Sequence, residues 1–413
     1  MLPAEIEKIV GIEGHAIPSL HIQGKFEKTP ETFIVEEVPK KIPESPSGKY
    51  TILKIRLRNW DKNRFVLFLS STLRVPRNAI TYAGTKDKHS TSIQYFSIHG
   101  RITSLPSIDG IEYTEHYYAE HPIRLGDLYG NTFTVKVESS RDISDLIIDG
   151  FNMIDKAGGF PNFFGLQRFG SMRPVTHLVG KYILIGDFRR AFREYICDPT
   201  FDSEDYRLGF CSHEDPERAL EEFPENLTFE RMLLNSLRNT GSFERALGSL
   251  PRTLGMMFVH AYQSYVFNRA LSERLRVVDA LYNILPGDRV IPIDEYSNPA
   301  SNMKPFICDR HNIEKLNRLS RENKVRSVIT LPGFNTELTD STADRIIGEI
   351  LEEDGVDLRA FRVSGNKKFS SGGSFRTVAM IPQNFKIISP NTMMFQLGRG
   401  AYATMLLREL LQE

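Results

Sequence analysis

The chain has 413 residues, more than one domain usually contains, so we expect two domains or one domain with a large insertion. It carries 40% hydrophobic and 25% charged residues, a composition typical of a soluble globular protein, and no apolar run long enough to predict a membrane span. The first residues, MLPAEIEKIVGIEG, are acidic and polar, unlike an export signal, so we expect a cytoplasmic protein.

The net charge is zero, with 52 basic and 52 acidic residues, but the charges are unevenly distributed. Residues 51–100 contain nine Lys or Arg against two Asp, a local balance of +7, whereas residues 201–230 have a balance of −8. The first segment could bind phosphates locally, although a merely solvated basic face would explain it equally well.

The three cysteines, Cys197, Cys211 and Cys308, are widely spaced and form no C-x-x-C motif. This arrangement favours unpaired thiols over a disulfide framework or a zinc site.

The first part of the chain predicts strands with a few helices. Residues 32–38 and 50–59 alternate between apolar and polar side chains, which predicts half-buried strands, and 50–59 places its basic residues on one face. A helix follows a cap at Asp61 or Asn63. Further elements are predicted as a strand at 131–139 and a helix at 143–159 that ends at two glycines.

Helical patterns dominate after about residue 170, and strands and a closing helix return near the C-terminus. We therefore predict an α+β fold. Its core is expected to consist of residues 1–170 and 376–413, interrupted by a mostly helical insertion at 171–375.

The segment YAGTKDKHSTSIQYFSI (82–98) places one carboxylate, Asp87, between Lys86 and Lys88 on a predicted loop. The simpler explanation is an Asx turn between strands. The alternative is a nucleophile or base that the lysines keep ionised beside a basic surface. A glycosidase would need a second carboxylate, and a metal-dependent deaminase would need a His/Cys set.

The segment FPNFFGLQRFG (160–170) combines aromatic, amide and basic side chains on an irregular stretch. Its phenylalanines could simply fill the core. Alternatively, one ring stacks on a planar ligand while Asn162 or Gln167 forms amide hydrogen bonds and Arg168 meets phosphate, a combination suited to an extruded RNA base.

Two further patterns predict structure and not chemistry. Phe258, Ala261, Tyr262 and Tyr265 share one face of a helix and are expected in the core, whereas Gln263, Ser264 and Asn268 lie partly off that face. GRGAYA (398–403) fits a dinucleotide fingerprint, but too few residues follow it for the required βαβ unit.

Together these segments resemble the TruD-type tRNA pseudouridine synthases. The resemblance runs in order through six blocks of sequence. They are TPETFIVEEV (29–38), YAGTKDKHSTSIQYFSI (82–98), GNTFTV (130–135), PNFFGLQRFG (161–170), HAYQSYVFN (260–268) and GAYATMLLREL (400–410).

The resemblance implies a pseudouridine-synthase core, an antiparallel sheet flanked by helices, interrupted by a helical TRUD-type insertion. It implies that Asp87 is the catalytic nucleophile or base, that Phe164 packs on the target base and that Asn162 supplies the amide of the same loop. The implied substrate is uridine-13 in the D arm of tRNA, without a cofactor, metal, membrane or protein partner. Where the family commonly carries a lysine this chain has Glu27, and Lys25 or Lys28 is expected to substitute.

Two other function classes compete with this interpretation. A non-catalytic RNA-binding protein could retain the fold and a basic cleft, but the intact Asp87 argues against it. An RNA methyltransferase would need a cofactor-binding glycine loop, and the glycine-rich candidate lies at the extreme C-terminus.

Overall fold

The computed structural model describes residues 3–84, 90–300, 303–363 and 365–412. Across these residues the chain forms 14 β-strands and 13 α-helices. The strands are β1 Phe33–Pro39, β2 Tyr50–Arg58, β3 Ile80–Tyr82, β4 Thr91–His99, β5 Ile111–Ala119, β6 Leu128–Lys136, β7 Phe160–Pro161, β8 Arg289–Pro292, β9 Phe306–Ile307, β10 Val325–Leu331, β11 Ser374–Thr377, β12 Ala379–Met380, β13 Gln383–Ser389 and β14 Thr392–Gly398. The helices are α1 Pro3–Ile9, α2 Lys62–Leu73, α3 Ser144–Lys156, α4 Thr176–Leu184, α5 Phe188–Ile196, α6 Asp205–His213, α7 Pro216–Glu222, α8 Thr228–Thr240, α9 Phe243–Ser249, α10 Arg252–Leu275, α11 Ile313–Arg321, α12 Thr342–Glu353 and α13 Ala403–Leu411.

The chain divides into two units, each assembled from separate stretches of sequence. The sheet unit comprises Ala16–Phe160, Pro292–Asn302 and Ala379–Glu413. The helical unit comprises Met1–His15, Pro161–Ile291 and Met303–Val378.

The sheet unit is built on eight strands in the order β13-β14-β6-β1-β4-β2-β5, with β3 paired to the second half of β4. Among the described pairs, β1 and β4 run parallel and the others are antiparallel. The predicted antiparallel sheet is therefore confirmed, with one parallel pair at its centre.

Strand β2 follows the predicted alternation. Ile55 and Leu57 are fully buried and pack with Phe65 and Leu69 of α2 on one face of the sheet. Helix α2 begins after Asp61, whose carboxylate accepts hydrogen bonds from the backbone N–H groups of residues 63 and 64 at 2.9 and 3.1 Å. These two elements, β2 and α2, fold as local sequence rules predict.

The basic face of β2 is largely neutralised by neighbouring strands. Lys54 lies 2.9 Å from Glu36 of β1 and 3.0 Å from Glu115 of β5, and Arg56 lies 3.3 Å from Glu112. Counting charges along the sequence therefore overestimates the positive charge that this strand offers to a phosphate.

Helix α10 is the longest helix of the helical unit and packs against α4, α12 and β10. Gly180 of α4 permits the closest approach, since a Cβ there would lie 2.1 Å from the carbonyl oxygen of Phe258. Gln263, Ser264 and Asn268, expected partly off the apolar face, are only 4%, 1% and 0% exposed. The helix is thus buried on more sides than its apolar pattern predicts.

The helical unit also contains a four-stranded sheet in the order β11-β10-β8-β9. Beside it the guanidinium of Arg274 donates to both carboxylate oxygens of Asp288, at 2.9 and 2.7 Å, and both side chains are buried.

In the described ranges, none of the helices is both long and apolar enough to cross a membrane.

The prediction of unpaired cysteines is wrong for two of the three. Cys197, which follows α5, forms a disulfide with Cys211 of α6, with a Cα–Cα distance of 5.8 Å. The fold brings two distant positions within bonding range, which sequence spacing alone does not reveal. Cys308 remains a buried thiol.

Candidate active site

Asp87, Lys86 and Lys88 lie outside the described residues, but the backbone on either side is fixed. Before them, the carbonyl oxygen of Ala83 accepts a hydrogen bond from the backbone N–H of Gly126 at 2.9 Å. After them, the hydroxyl of Thr91 in β4 donates to the carbonyl oxygen of Pro30 at 2.8 Å. The TPETFIVEEV block therefore contacts the start of β4, which follows the GTKDKH block in the sequence.

Of the two lysines expected to substitute for the family's lysine at position 27, Lys25 and Lys28, we take Lys28 as the candidate site residue. Its ammonium group lies 4.9 Å from the ring centroid of Phe33, in a cation–π contact within the sheet unit. Glu27 is exposed, and its backbone oxygen accepts a hydrogen bond from the Thr32 hydroxyl.

The loop that carries Phe164 is held by the side chain of Asn268 in α10. The amide oxygen of Asn268 accepts from the Phe164 N–H at 2.9 Å, and its amide nitrogen donates to the Phe164 carbonyl oxygen at 3.0 Å. The same nitrogen donates to the carbonyl oxygen of Val10 at 3.0 Å. One buried side chain thus bonds both backbone polar groups of Phe164, as a neighbouring strand would in a sheet.

Asn162 is 3% exposed, and its amide is used within the helical unit. The amide nitrogen donates to the backbone and hydroxyl oxygens of Thr377, both at 3.0 Å. The amide oxygen accepts from Nη2 of Arg376 at 2.7 Å, and Nε of Arg376 donates to the Asn162 carbonyl oxygen at 2.8 Å. These contacts fix the start of the loop to strand β11.

Phe164 has a mostly covered ring, with 8% of the residue exposed. The guanidinium of Arg376 lies 4.0 Å from the ring centroid, and Phe267 of α10 meets the ring edge-on at 5.4 Å. Arg168 is farther away, with its guanidinium 5.7 Å from the centroid. Cationic groups therefore surround this aromatic ring, an arrangement that fixes its orientation.

The two remaining predicted residues of the loop differ in exposure. Gln167 is exposed, whereas Arg168 is half-buried and donates from Nε to the Ser264 hydroxyl at 3.2 Å. Ser264 in turn donates to the carbonyl oxygen of His260, one turn earlier in α10, at 2.7 Å.

A buried histidine packs against Phe169, near the end of the same loop. His177 stacks on Tyr265 with a centroid distance of 4.9 Å and meets Phe169 edge-on at 5.5 Å. Burial lowers the pKa of His177 to about 3, so the imidazole is neutral at physiological pH. A neutral ring can stack here without placing a charge in the core.

Arg376 and Asn268 are the residues around the loop whose roles sequence patterns did not reveal. Arg376 lies 214 positions from Asn162. Asn268 stood out only as a polar residue within an apolar helix, a signal for a buried network but not for its partner. Among the described residues no group of three His, Cys, Asp or Glu side chains could hold a metal ion.

Comparisons with known proteins agree with this architecture and these blocks. A family model described as tRNA pseudouridine synthase D (TruD) matches residues 9–410. A Picrophilus torridus protein named "Probable tRNA pseudouridine synthase D" is 42% identical over 404 residues, covering 98% of this chain and 97% of that protein. A Thermoplasma acidophilum protein of the same name is 40% identical over 384 residues, covering 93% and 92%.

A solved structure matches over the same length. It is a crystal structure described as "Putative tRNA pseudouridine synthase D (TruD)" from Methanosarcina mazei, with a TM-score of 0.83 and 32% identity. The match covers 99% of this chain and 98% of that one. The pseudouridine-synthase core with its insertion is therefore confirmed, and the chain belongs to the TruD family of tRNA pseudouridine synthases.

Proposed function

We propose that this chain converts uridine-13 in the D arm of tRNA to pseudouridine, with Asp87 as the catalytic carboxylate. The observation that carries the proposal is the lone acid of the GTKDKH block in a chain of this family. Lys86 and Lys88 flank it and favour its ionised form, as a nucleophile or base requires.

The reaction needs one carboxylate and no change of oxidation state. The bond between ribose C1′ and uracil N1 breaks, the base turns, and a bond forms between C1′ and C5. The C5 proton leaves and N1 gains a proton, so the product is an isomer of the substrate. Asp87 either attacks C1′ or removes a ribose proton to give a glycal, and both routes are compatible with the residues present.

In this proposal Phe164 presents its ring to the target base, and Asn162 acts as a positioning residue. The support is the number of contacts that hold the loop, from Asn268, Arg376 and Thr377. Such a fixed loop suits an extruded base, because ordering it at the moment of binding would cost affinity. The competing account makes Phe164 a core residue, and its 8% exposure favours that account.

The remaining predicted residues are proposed RNA contacts. Arg168 would meet the phosphate backbone, together with Lys28 and the two lysines beside Asp87, and Gln167 would offer amide hydrogen bonds to the RNA. Phosphate contacts of this kind position the RNA without reading its sequence.

Release of tritium from 5-tritiated uridine in tRNA tests the activity, because forming the C1′–C5 bond expels the C5 hydrogen. We expect release from a tRNA with uridine at position 13 and none from the same tRNA with cytidine there. Asp87→Asn should retain tRNA affinity while its rate falls below about a thousandth of wild type. The matched control is Asp61→Asn, which changes the other acid of segment 51–100 and leaves a good helix cap.

The results separate the competing functions. Substantial release by Asp87→Asn would refute the catalytic assignment. Tight tRNA binding by the wild type without any release would favour the non-catalytic RNA-binding protein. Release that persists when position 13 is cytidine would move the target to another uridine.

A further inference from the structure

Two tyrosines of the sheet unit stack on each other at its surface. Tyr129 of β6 and Tyr296, in the segment after β8, have ring centroids 5.4 Å apart and planes inclined by 15°. Tyr129 is 38% exposed and Tyr296 is half-buried. A parallel aromatic pair that reaches solvent offers a π surface that core packing alone does not require.

The backbone is shaped to bring these rings together. Gly130 and Gly398 face each other in the β6–β14 pair. A Cβ at Gly398 would lie 2.2 Å from the carbonyl oxygen of Tyr296, so only glycine lets the Tyr296 segment lie this close to the strand end.

Hydrogen bonds then fix the Tyr296 segment. Asn298, 2% exposed, donates from its amide to the Tyr129 carbonyl oxygen at 2.8 Å. The Asp294 carboxylate accepts from the backbone N–H of Tyr296 at 2.9 Å and from the Asn298 side chain at 3.0 Å. The stack is thus held in place before any ligand binds.

The tyrosine pair is connected to the backbone beside the GTKDKH block. The guanidinium of Arg399 donates to the Gly126 carbonyl oxygen at 3.3 Å, and the Gly126 N–H donates to Ala83 at 2.9 Å. The backbone N–H of Arg399 donates to the Asn298 amide oxygen at 2.7 Å. Ala83 lies four residues before Asp87, and four residues of chain span at most about 14 Å.

The charges around the pair suit an RNA strand on one side. Arg124 and Arg399 are exposed, and Leu125, next to Arg124 in the sequence, is 74% exposed. Glu295 is an exposed acid beside Tyr296, so a phosphate backbone is expected on the Arg399 side.

We propose that Tyr129 and Tyr296 form a stacking platform for a base adjacent to the target uridine on the same RNA strand, with Arg399 contacting its phosphate. The inference rests on the proposed function. Extruding one base leaves its neighbours without a stacking partner, and an aromatic ring held nearby restores that contact.

A tRNA carrying 2-aminopurine next to the target uridine tests this platform. We expect wild type to quench its fluorescence on binding, and Tyr296→Ala to abolish the quenching and weaken binding by about 5- to 150-fold. Tyr296→Phe should restore both, since it keeps the ring. Tyr296→Leu keeps apolar volume without a π face and should behave like the alanine variant if stacking, not packing, matters.

The matched control is Tyr118→Ala on β5, an edge strand that three strands separate from β6. The Arg101 guanidinium lies 4.0 Å from the ring centroid of Tyr118. The control variant should quench and bind like wild type. Unchanged quenching and affinity in Tyr296→Ala or Tyr296→Leu would overturn the platform while tritium release still supports the proposed function. Loss of quenching in these variants of a protein that releases no tritium would support the platform and refute the activity.

Discussion

Asn268 attaches the Phe164 loop to helix α10, and Asn268→Ala measures how much that attachment contributes. The substitution removes three hydrogen bonds, of 2.9 Å to the Phe164 N–H and of 3.0 Å to the carbonyl oxygens of Phe164 and Val10. Because Asn268 is 0% exposed, water cannot simply take its place.

The expected loss of stability follows from these three contacts. Removing one partner of a buried hydrogen bond costs about 1–3 kcal/mol, and backbone relaxation recovers part of it. We therefore expect the free energy of unfolding to fall by about 3–6 kcal/mol, a large share of the usual 5–15 kcal/mol. Asn268→Asp should be similarly damaging, since it turns an oxygen toward two carbonyl oxygens.

The assay combines urea unfolding with amide hydrogen exchange. Far-UV circular dichroism follows the helices, whereas the fluorescence of Trp60, the one tryptophan of the sequence, reports on the sheet unit. Exchange of the Phe164 amide should accelerate strongly in Asn268→Ala. In the folded fraction we expect tritium release to slow by about 10- to 100-fold, because the loop is no longer held in position.

Ser272→Ala is the matched control for this experiment. Ser272 lies one turn further along α10 and bonds to the N-terminal segment, at 2.8 Å to the Gly11 carbonyl oxygen and 2.9 Å to the Glu13 N–H, as Asn268 bonds to Val10. It makes no described hydrogen bond to the Phe164 loop. If Asn268→Ala costs no more stability than Ser272→Ala and leaves Phe164 exchange unchanged, the proposed attachment is refuted.

Three further predictions concern the loop, a buried histidine and the charged segments. Phe164→Ala should slow single-turnover release by about 10- to more than 100-fold and Phe164→Tyr should not, whereas a large drop in melting temperature with a normal rate would identify a core residue. Below pH 6.5 His177 takes up a proton in the unfolded chain but stays neutral in the folded protein. The free energy of unfolding should therefore fall by up to about 1.4 kcal/mol per pH unit as the pH drops toward 3. His177→Gln should remove this one-proton contribution from urea unfolding measured at several pH values. The affinity for tRNA should fall steeply as the salt concentration rises. Arg74→Ala and Arg77→Ala remove exposed arginines of segment 51–100 and should flatten the plot of log K against log salt. Glu217→Lys, in the acidic segment, should leave that slope unchanged.

Local sequence patterns determined much of the secondary structure. The alternation in β2 and the cap at Asp61 correspond directly to the observed strand and to the start of α2. The helix predicted at 143–159 corresponds to α3, Ser144–Lys156. Side-chain periodicity and capping depend on near neighbours, so one sequence suffices to find them. The ordered blocks likewise identified the family, because each block preserves residue types together with their spacing.

Tertiary structure alone decided which distant residues meet. Asn162 bonds to Thr377 across 215 positions, and Phe164 bonds to Asn268 across 104. The Cys197–Cys211 disulfide, the pairing of Lys54 with acids of β1 and β5, and the sheet inside the helical unit depend in the same way on contacts between separate elements. No periodicity encodes such contacts, because they arise from how whole elements pack. The sequence therefore indicated which side chains are candidates for catalysis and RNA binding. The fold decided which of those side chains are held in position by hydrogen bonds and packing from residues far away in the sequence.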